Sequence, residues 1–472
     1  MVMLDSSITR LKAPESQEGR KEGDFRPGPK GFALLGALRR MRTDPLGYFT
    51  ETLRNYGDVA WFNIGLDRIV MLSDPGDIKH VLQDNHRNYR KSKFYRPLRP
   101  LLGGGIFLAE GDDWLAQRRT STPAFSGFRF EHMAGEIASA TTGMLKRWEA
   151  LADEPLDIAH EMMRLTLDGV TRALFGLNLE DEHDDFYGAI EVVLKEAERR
   201  VWSTGIIPPA IFVGRQRAYR RALRIMDDVI ERLIERRRHD SAESGDLLAM
   251  LIDAYDGSAV EARRLLRDQV ISFLVAGHET TAISLSWTWY LLSKHPAAAA
   301  RFHEEVDSVL QGRIPTFADI KNLTYTGMVL EEAMRLYPPV WTISREATSD
   351  DVTAGTRIPK GTTVMLCPYV VHRNPKLWKN PDEFDPDRFA PQVADQTPRH
   401  AYFPFGGGPR VCLGKRFAMM EGVLIMAMIG QRYRLDLLPG AEIELEPMIT
   451  LRPRGGMPVT LKRRTDGPPQ AR

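Results

Sequence analysis

The segment FPFGGGPRVCLGKRFA, from Phe403 to Ala418, says most about the fold and the chemistry of this chain. Its three consecutive glycines, Gly406 to Gly408, allow positive φ angles and let the backbone approach a flat partner closely. Cys412 follows them, and the pattern predicts a helix from about Gly414 to Ile429. Free N–H groups and the dipole at a helix N-terminus stabilise a thiolate. We therefore expect a ligating thiolate at Cys412, with Arg410 available to bind a carboxylate.

The composition describes a large chain with nearly balanced charge. Its 472 residues include 64 basic and 63 acidic ones, which gives no indication of a nucleic-acid partner. Cys367 and Cys412 are the only cysteines, too few for a disulfide framework and typical of a reducing, cytoplasmic compartment. Because Cys367 lies in the apolar run TTVMLCPYVV, we interpret it as a buried hydrophobe.

No segment predicts a membrane protein. Residues 1–26 are mostly polar and contain neither a signal peptide nor an anchor. The apolar stretch from Val270 to Leu292 is nearly long enough to span a bilayer, but it carries His278 and Glu279 at its centre. Ionisable groups there are costly in lipid. We interpret this stretch as a long helix buried in a core.

The order of patterns predicts a mainly α fold with a smaller β part, in one domain from residue 27 to 464. Asp44-Pro45 is typical of a helix start and Gly57 of a helix stop, and VAWFNI and IVMLS predict a β-hairpin. Residues from Trp114 to Leu310 have mostly helical periodicity, whereas short β-rich runs follow Lys360. Residues 1–26 and 465–472 are predicted to be disordered.

The cysteine segment resembles the haem-binding signature F-x-x-G-x-R-x-C-x-G of the cytochrome P450 family. Five residues match it: Phe405, Gly408, Arg410, Cys412 and Gly414. The resemblance covers residues 27–462 and implies the cytochrome P450 fold, with haem b between a long central helix and the helix after the cysteine. Cys412 would then ligate the iron, Phe405 would pack beside the thiolate, and Arg410 would bind a propionate. Gly406 would belong to the loop that approaches the haem.

The segment AGHETT, from Ala276 to Thr281, interrupts the apolar helix with glycine and polar groups. From the residues alone, Thr280 is expected to bond back to the carbonyl of Ala276 and to distort the helix. The segment also resembles the family motif [AG]-G-x-[DE]-T-[TS]. That resemblance implies that Ala276 lies beside the haem and that Thr280 donates a hydrogen bond to iron-bound dioxygen. Glu279 would relay protons through water, or form an ion pair instead.

Two further constellations match the family. Glu332 and Arg335 share a helical face and, on their own, predict a surface salt bridge; the resemblance implies a buried structural network with Arg388. Trp114 and Arg118 match the family motif W-x-x-x-R, and the resemblance implies that both bind a haem propionate. Arg345 is implied to be a further propionate partner, although an arginine on a strand is more often exposed.

The resemblance is closest to the fatty-acid-hydroxylase and microsomal type, because of Arg410 and the run from Phe417 to Glu421. Because neither a membrane anchor nor a fused reductase is recognisable in the sequence, we expect a soluble, monomeric enzyme of the bacterial style. Its electrons would come from a separate ferredoxin or flavodoxin with its reductase. Arg119, Lys415 and Arg416 would meet this acidic partner, or are simply solvated.

The predicted activity is insertion of one oxygen atom from O2 into a lipophilic small molecule, by hydroxylation or epoxidation, with a fatty acid or terpenoid-like substrate favoured. By analogy, the apolar pocket residues are Phe94, Leu98, Ile106, Phe107, Val340, Trp341, Ile343, Met448 and Ile449; core packing explains each about as well. A basic set near the presumed entrance is a candidate anchor for a substrate carboxylate: Lys91, Lys93, Arg96 and Arg99.

Two other functions stay open. Some members of the family use peroxide in place of O2, or isomerise or dehydrate a substrate without oxygen. Such members typically lose the acid–threonine pair, which is present here as Glu279 and Thr280. A non-catalytic haem sensor or ligand carrier would not need that pair either. The intact pair therefore favours the monooxygenase.

Overall fold

A computed structural model describes residue 28 and residues 39–64, 67–151, 154–177, 183–202, 213–239, 246–255, 259–353, 355–394 and 396–464. The two segments predicted to be disordered, 1–26 and 465–472, lie outside the described residues. The fold is mainly helical with a smaller β part, as the sequence predicts.

The helices account for most of the described chain. They are α1 (Pro45–Tyr56), α2 (Pro75–Lys79), α3 (Arg99–Leu102), α4 (Gly111–Ser121), α5 (Phe130–Glu149), α6 (Ile158–Phe175), α7 (His183–Trp202), α8 (Val213–His239), α9 (Leu247–Tyr255), α10 (Val260–Lys294), α11 (Pro296–Leu310), α12 (Thr324–Leu336), α13 (Pro368–Val371), α14 (Pro391–Ala394) and α15 (Lys415–Arg432).

The strands form small sheets. They are β1 (Val59–Ile64), β2 (Asp67–Leu72), β3 (Tyr89–Lys91), β4 (Leu156–Asp157), β5 (Ile343–Ala347), β6 (Asp351–Thr353), β7 (Thr356–Ile358), β8 (Thr363–Leu366), β9 (Tyr433–Leu437), β10 (Leu445–Pro447), β11 (Leu451–Pro453) and β12 (Pro458–Arg463). One sheet has the order β1-β2-β8-β5-β3 and another β4-β12-β9, while β10–β11 and β6–β7 are hairpins.

Local sequence signals explain several boundaries. The Asp44 side chain accepts a hydrogen bond from the N–H of Gly47 and caps α1, and the helix stops before Gly57, whose φ of 80° suits glycine. The predicted hairpin is present as the antiparallel pair β1–β2. Gly414 caps α15, which continues three residues beyond the predicted end at Ile429, to Arg432.

Helix α10 is the centre of the molecule. It runs for 35 residues, most of them buried between Leu266 and Leu292, and it packs against α6, α9, α12 and α15. The interpretation of this apolar stretch as a buried core helix is therefore confirmed. In the described part of the chain, no helix is both long and apolar enough to cross a membrane.

Candidate haem site

The loop before Cys412 is held in place by close backbone packing. Gly406 and Gly408 have φ angles of 71° and 64°, and the N–H of Cys412 donates to the carbonyl of Phe405 at 3.0 Å. A Cβ atom on Gly408 would lie 1.9 Å from the carbonyl oxygen of Leu82. This position requires glycine both for its φ angle and for its space.

We expect Gly408→Ala to lower the free energy of unfolding by about 2–5 kcal/mol, because left-handed strain adds to overpacking against backbone. Gly440→Ala is the matched control: its φ is 80°, but an added Cβ meets no atom within 4 Å. Gly440→Ala should lower the free energy of unfolding only by the left-handed backbone strain, about 1–2 kcal/mol. Equal losses in urea denaturation of the two variants would contradict the close packing at Leu82.

The Cys412 side chain keeps exposed surface although protein surrounds it closely. Burial raises the pKa of its thiol, while the N–H of Gly414 and the charges of Arg118 and Lys415 act in the opposite direction. In the middle of buried α10, Ala276 is likewise exposed. Both the sulfur and this part of α10 therefore keep surface that protein does not cover, and thiolate-stabilising groups surround the sulfur.

Helix α4 reaches the cysteine loop through Arg118 and the segment that follows it. Arg118 Nη1 donates to the carbonyl of Val411 at 2.9 Å, directly before Cys412. The ring of Phe125 lies 3.9 Å from the Cβ position of Gly414, and its centroid is 6.1 Å from that of Phe273 in α10. Phe125 thus bridges the cysteine loop and the central helix.

A cluster of cations includes Arg410 of the cysteine loop. Strands β3 and β5 place Lys91 directly opposite Arg345, a like-charge pair that is unfavourable without an anion. Arg410 stacks 4.6 Å over the Trp114 ring and forms an ion pair with Glu110. Burial, together with the charges of Arg410 and Arg345, lowers the pKa of Lys91 to about 7, although Glu110 opposes the shift.

The cluster brings together three of the four predicted propionate partners, Trp114, Arg345 and Arg410, whereas Arg118 donates to the carbonyl of Val411. The cluster also contains Lys91 and Glu110, for which sequence reasoning predicted no propionate role. Lys91 was predicted as a candidate anchor for a substrate carboxylate, and Glu110 was not singled out. Lys91 is recognisable only once the register of β3 against β5 is known. Glu110 shares the helix start that precedes Trp114, but its bond to Arg410 depends on tertiary contact.

The predicted network behind the site is present. Arg335 Nε and Nη2 lie 2.6 and 2.7 Å from the two carboxylate oxygens of Glu332, and both side chains are fully buried. Arg388 Nε lies 3.4 Å from Glu332 Oε1. Arg335 also donates to the carbonyls of His372, Pro381 and Glu383. The pair is therefore not the surface salt bridge that its spacing alone predicts.

In α10, the Thr280 hydroxyl donates to the carbonyl of Ala276 at 2.9 Å, as the sequence predicts, and the helix continues without interruption. Glu279 is buried and forms an ion pair with Arg452, whose Nη2 lies 2.6 Å from its Oε1. Burial by itself raises the pKa of Glu279, but the charge of Arg452 and hydrogen bonds from Thr450 and Arg452 bring it below its usual value. Of the two interpretations of Glu279, this geometry corresponds to the ion pair.

The structure does not collect the predicted pocket residues into one apolar cluster. Trp341 belongs to the core cluster that contains Phe49, and Phe94 packs against that cluster, whereas Ile343 belongs to a second cluster and Val340 packs against it. Leu98, Ile106 and Ile449 pack in or against the largest core, Met448 is buried, and Phe107 is 37% exposed. Trp341 is 3% exposed, so it is a core side chain here, the alternative that the sequence left open.

The four basic residues predicted as a carboxylate anchor line one cleft of about 340 Å³: Lys91, Lys93, Arg96 and Arg99. Lys93 forms an ion pair with Asp67, and Lys91 donates to the carbonyl of Ala109 at 3.0 Å. Arg96 and Arg99 are exposed. A carboxylate anchor at this cleft stays a prediction.

The donor set fits a haem. A thiol with accessible sulfur suits iron, and the cations at Lys91, Arg345 and Arg410, with one carboxylate among them, suit the two propionates. Fold and site together define a haem-thiolate protein. The sequence model described as cytochrome P450 matches residues 26–458, so this chain belongs to the cytochrome P450 family of monooxygenases.

Similar proteins agree with this class. Cyclooctatin synthase of Streptomyces melanosporofaciens is 34% identical over 428 residues, 90% of this chain and 92% of that protein. Pentalenene oxygenase of Streptomyces avermitilis is 30% identical over 444 residues, 93% of this chain and 97% of that protein. A crystal structure of a cytochrome P450DA mutant heme domain superposes with a TM-score of 0.83 at 27% identity, covering 93% of this chain and 98% of that one.

Proposed function

We propose that this monooxygenase inserts one oxygen atom from O2 into a neutral terpenoid-like lipophile, by hydroxylation or epoxidation. The observation that carries the proposal is the accessible sulfur of Cys412 in a glycine loop that Phe125 connects to the central helix α10. The relatives whose names specify a terpenoid reaction favour this class over fatty acids. The single catalytic domain spans residues 27–464.

Haem b, when bound, supplies dioxygen activation, because thiolate ligation donates electron density that favours O–O cleavage. Cys412 holds the negative charge on sulfur, helped by the Gly414 N–H and the Arg118 guanidinium. Phe405 and Gly406 shape the loop, while Trp114, Arg118, Arg345 and Arg410 orient the propionates. Thr280 holds a hydroxyl proton at the surface of α10 that faces the reaction.

Electrons come from a separate ferredoxin or flavodoxin with its reductase. Lys415 and Arg416 are exposed at the start of α15, and Arg119 is exposed on α4, whose Arg118 contacts the cysteine loop. An acidic partner would approach the thiolate side through these cations. Electrostatic attraction of this kind raises the association rate and weakens as salt increases.

The experiment that tests this function supplies the haem-loaded protein with a surrogate ferredoxin, its reductase and a panel of cyclic terpenes and fatty acids. With isotopically labelled O2, we expect a terpene product that carries one labelled oxygen atom. Product formed with hydrogen peroxide but not with O2 and electrons would instead assign a peroxygenase. Binding without any product would favour a carrier or sensor.

We expect Thr280→Ala to retain haem and substrate binding but to lower the yield of product per electron by roughly tenfold or more, since a positioned proton donor contributes about 10²–10⁴-fold. The electrons would appear as peroxide or water. Thr288→Ala is the matched control on α10, because Thr288 makes the same backbone bond, to Ser284 at 2.7 Å. Unchanged coupling in Thr280→Ala would remove this residue from the mechanism.

A further inference from the structure

Glu421 is a buried carboxyl that the proposed mechanism does not use. It lies on α15, the helix that follows the cysteine loop, and its side chain is fully buried. Among the described residues, none donates a hydrogen bond to either of its carboxylate oxygens. The Thr281 hydroxyl on α10 acts on this carboxyl but donates to the carbonyl of Gly277, at 3.3 Å. Since a buried ionised carboxylate without partners is costly, this position needs a physical explanation.

The carboxyl lies between the helix that follows the thiolate and the central helix. Gly414, whose Cβ position is 4.0 Å from Cys412 Sγ, caps α15, and Glu421 follows it by seven residues. Seven residues make about two turns, so Glu421 lies on the same side of α15, roughly 10 Å along its axis. On α10, Thr281 is the neighbour of Thr280. In this low-dielectric interior, a charge on Glu421 and a charge at the haem affect one another strongly.

The ionisable groups around Glu421 are engaged with other partners. An added Cβ on Gly169 of α6 would lie 3.0 Å from Glu421 Oε1 and 4.0 Å from Ile137 of α5, so these helices pack closely here. The charged residues beside the contacts have their own interactions: Asp168 with Arg172, Glu279 with Arg452, Glu332 with Arg335, Glu331 with Lys415, and His278 Nδ1 at 2.7 Å from the carbonyl oxygen of Leu274. Burial therefore dominates and raises the pKa of Glu421 to about 8, although Thr281 opposes the shift.

We propose that Glu421 binds the proton that accompanies reduction of the haem. For each electron that a donor delivers to the iron, one proton passes from solvent to a carboxylate oxygen of Glu421. The iron is reduced by one electron, the carboxylate becomes a carboxylic acid, and the net charge of the buried site does not change. The inference rests on the haem-thiolate class of this chain and not on the proposed substrate.

The sign of the coupling follows from the added charge. An electron at the haem favours the neutral form of Glu421, so the pKa of this carboxyl is higher in the reduced than in the oxidised protein. Between those two pKa values, the reduced protein binds one more proton, and the reduction potential must fall as pH rises. For one electron and one proton, each tenfold change in proton concentration corresponds to at most about 59 mV.

The test is a spectroelectrochemical titration of the haem-loaded protein, without substrate or redox partner, over a pH range on both sides of the pKa of Glu421. We expect a constant potential at the acidic end and a decrease that begins near pH 8. In infrared difference spectra recorded at alkaline pH, reduction should produce the C=O band of a protonated carboxylic acid.

Two variants separate this role from a merely structural one. Glu421→Gln should hold the potential at the acidic-limit value of the unmodified protein at every pH, because a neutral amide replaces the neutral acid. The infrared band should be missing from it. Thr281→Val removes the hydroxyl that opposes the pKa shift, so the decrease should begin at higher pH.

Two further variants test rival groups. Burial and neighbouring cations lower the pKa of Lys91 to about 7, and burial raises the pKa of Glu331 on α12. Lys91→Met and Glu331→Gln should both keep the alkaline decrease in potential. Glu331→Gln is the matched control, because it makes the same chemical change at another carboxyl whose pKa burial raises.

A potential independent of pH in the unmodified protein overturns the inference, as does a slope that persists in Glu421→Gln or disappears in Lys91→Met or Glu331→Gln. If Glu421→Gln does not retain haem, an unshifted slope in Thr281→Val overturns it. A slope that belongs to Glu421, found together with no oxygen insertion, would reject the proposed function alone. Oxygen insertion without the slope would reject this inference alone.

Discussion

We expect Cys412→Ser to eliminate the red-shifted Soret band of the reduced, carbon-monoxide-bound haem protein and to abolish oxygen insertion. Serine has the same shape as cysteine and nearly its size, but its hydroxyl is a far weaker acid and does not donate electron density to iron as a thiolate does. Haem can still bind in Cys412→Ser, since the cation cluster and the glycine loop remain. The measurement is the absorption spectrum under carbon monoxide, with product analysis in parallel.

Cys367→Ser is the control for this result. Cys367 is fully buried, and its Sγ lies 3.1 Å from the carbonyl of Trp341, a bond that a serine hydroxyl can replace. Burial raises the pKa of the Cys367 thiol to about 12, so it is not a thiolate at neutral pH. A red-shifted band that survives in Cys412→Ser but disappears in Cys367→Ser would reverse the assignment of the ligand.

Arg335→Met is expected to lower the free energy of unfolding by about 3–5 kcal/mol, because it removes the nearest charged partner of the buried Glu332 carboxylate and leaves it only the longer contact to Arg388. The carbonyls of His372, Pro381 and Glu383 lose a donor at the same time. We expect urea denaturation to show the loss and haem content to fall with it.

The pH dependence of Arg335→Met gives an independent check. Burial already raises the pKa of Glu332 despite Arg335, and removing the guanidinium raises it further. When the pKa of a carboxyl group is higher in the folded than in the unfolded state, the folded protein loses stability as pH rises above the pKa of the unfolded state. Arg335→Met should therefore lose most stability at neutral and alkaline pH and least near pH 5.

The exposed pair of Arg40 and Glu51 is the control for that variant. Their Nη2 and Oε1 atoms lie 2.8 Å apart with about half of each side chain exposed, so Arg40→Met should change the free energy of unfolding by no more than about 1 kcal/mol. A loss in Arg335→Met no larger than that of Arg40→Met would contradict a supporting role for the Glu332 network.

The features that could be predicted from the sequence are mostly contacts between residues that are close together in the chain. The cysteine loop follows from glycine conformations and a helix start within a dozen residues, and the hydrogen bond from Thr280 to Ala276 follows from helical geometry. The contact of Glu332 with Arg335 follows likewise from a spacing of three. Such features are encoded locally, because the residues that meet are fixed by one element's geometry.

The tertiary structure decided which distant residues meet these local features. Glu279 forms an ion pair with Arg452, which is 173 residues away in the chain. Lys91 lies opposite Arg345 only because of the register between β3 and β5. The candidate pocket side chains likewise divide among separate core clusters. Chain proximity does not determine these partners: the partner of a buried charge is whichever opposite charge the packing of helices and strands brings within reach, since an unpaired charge there is too costly.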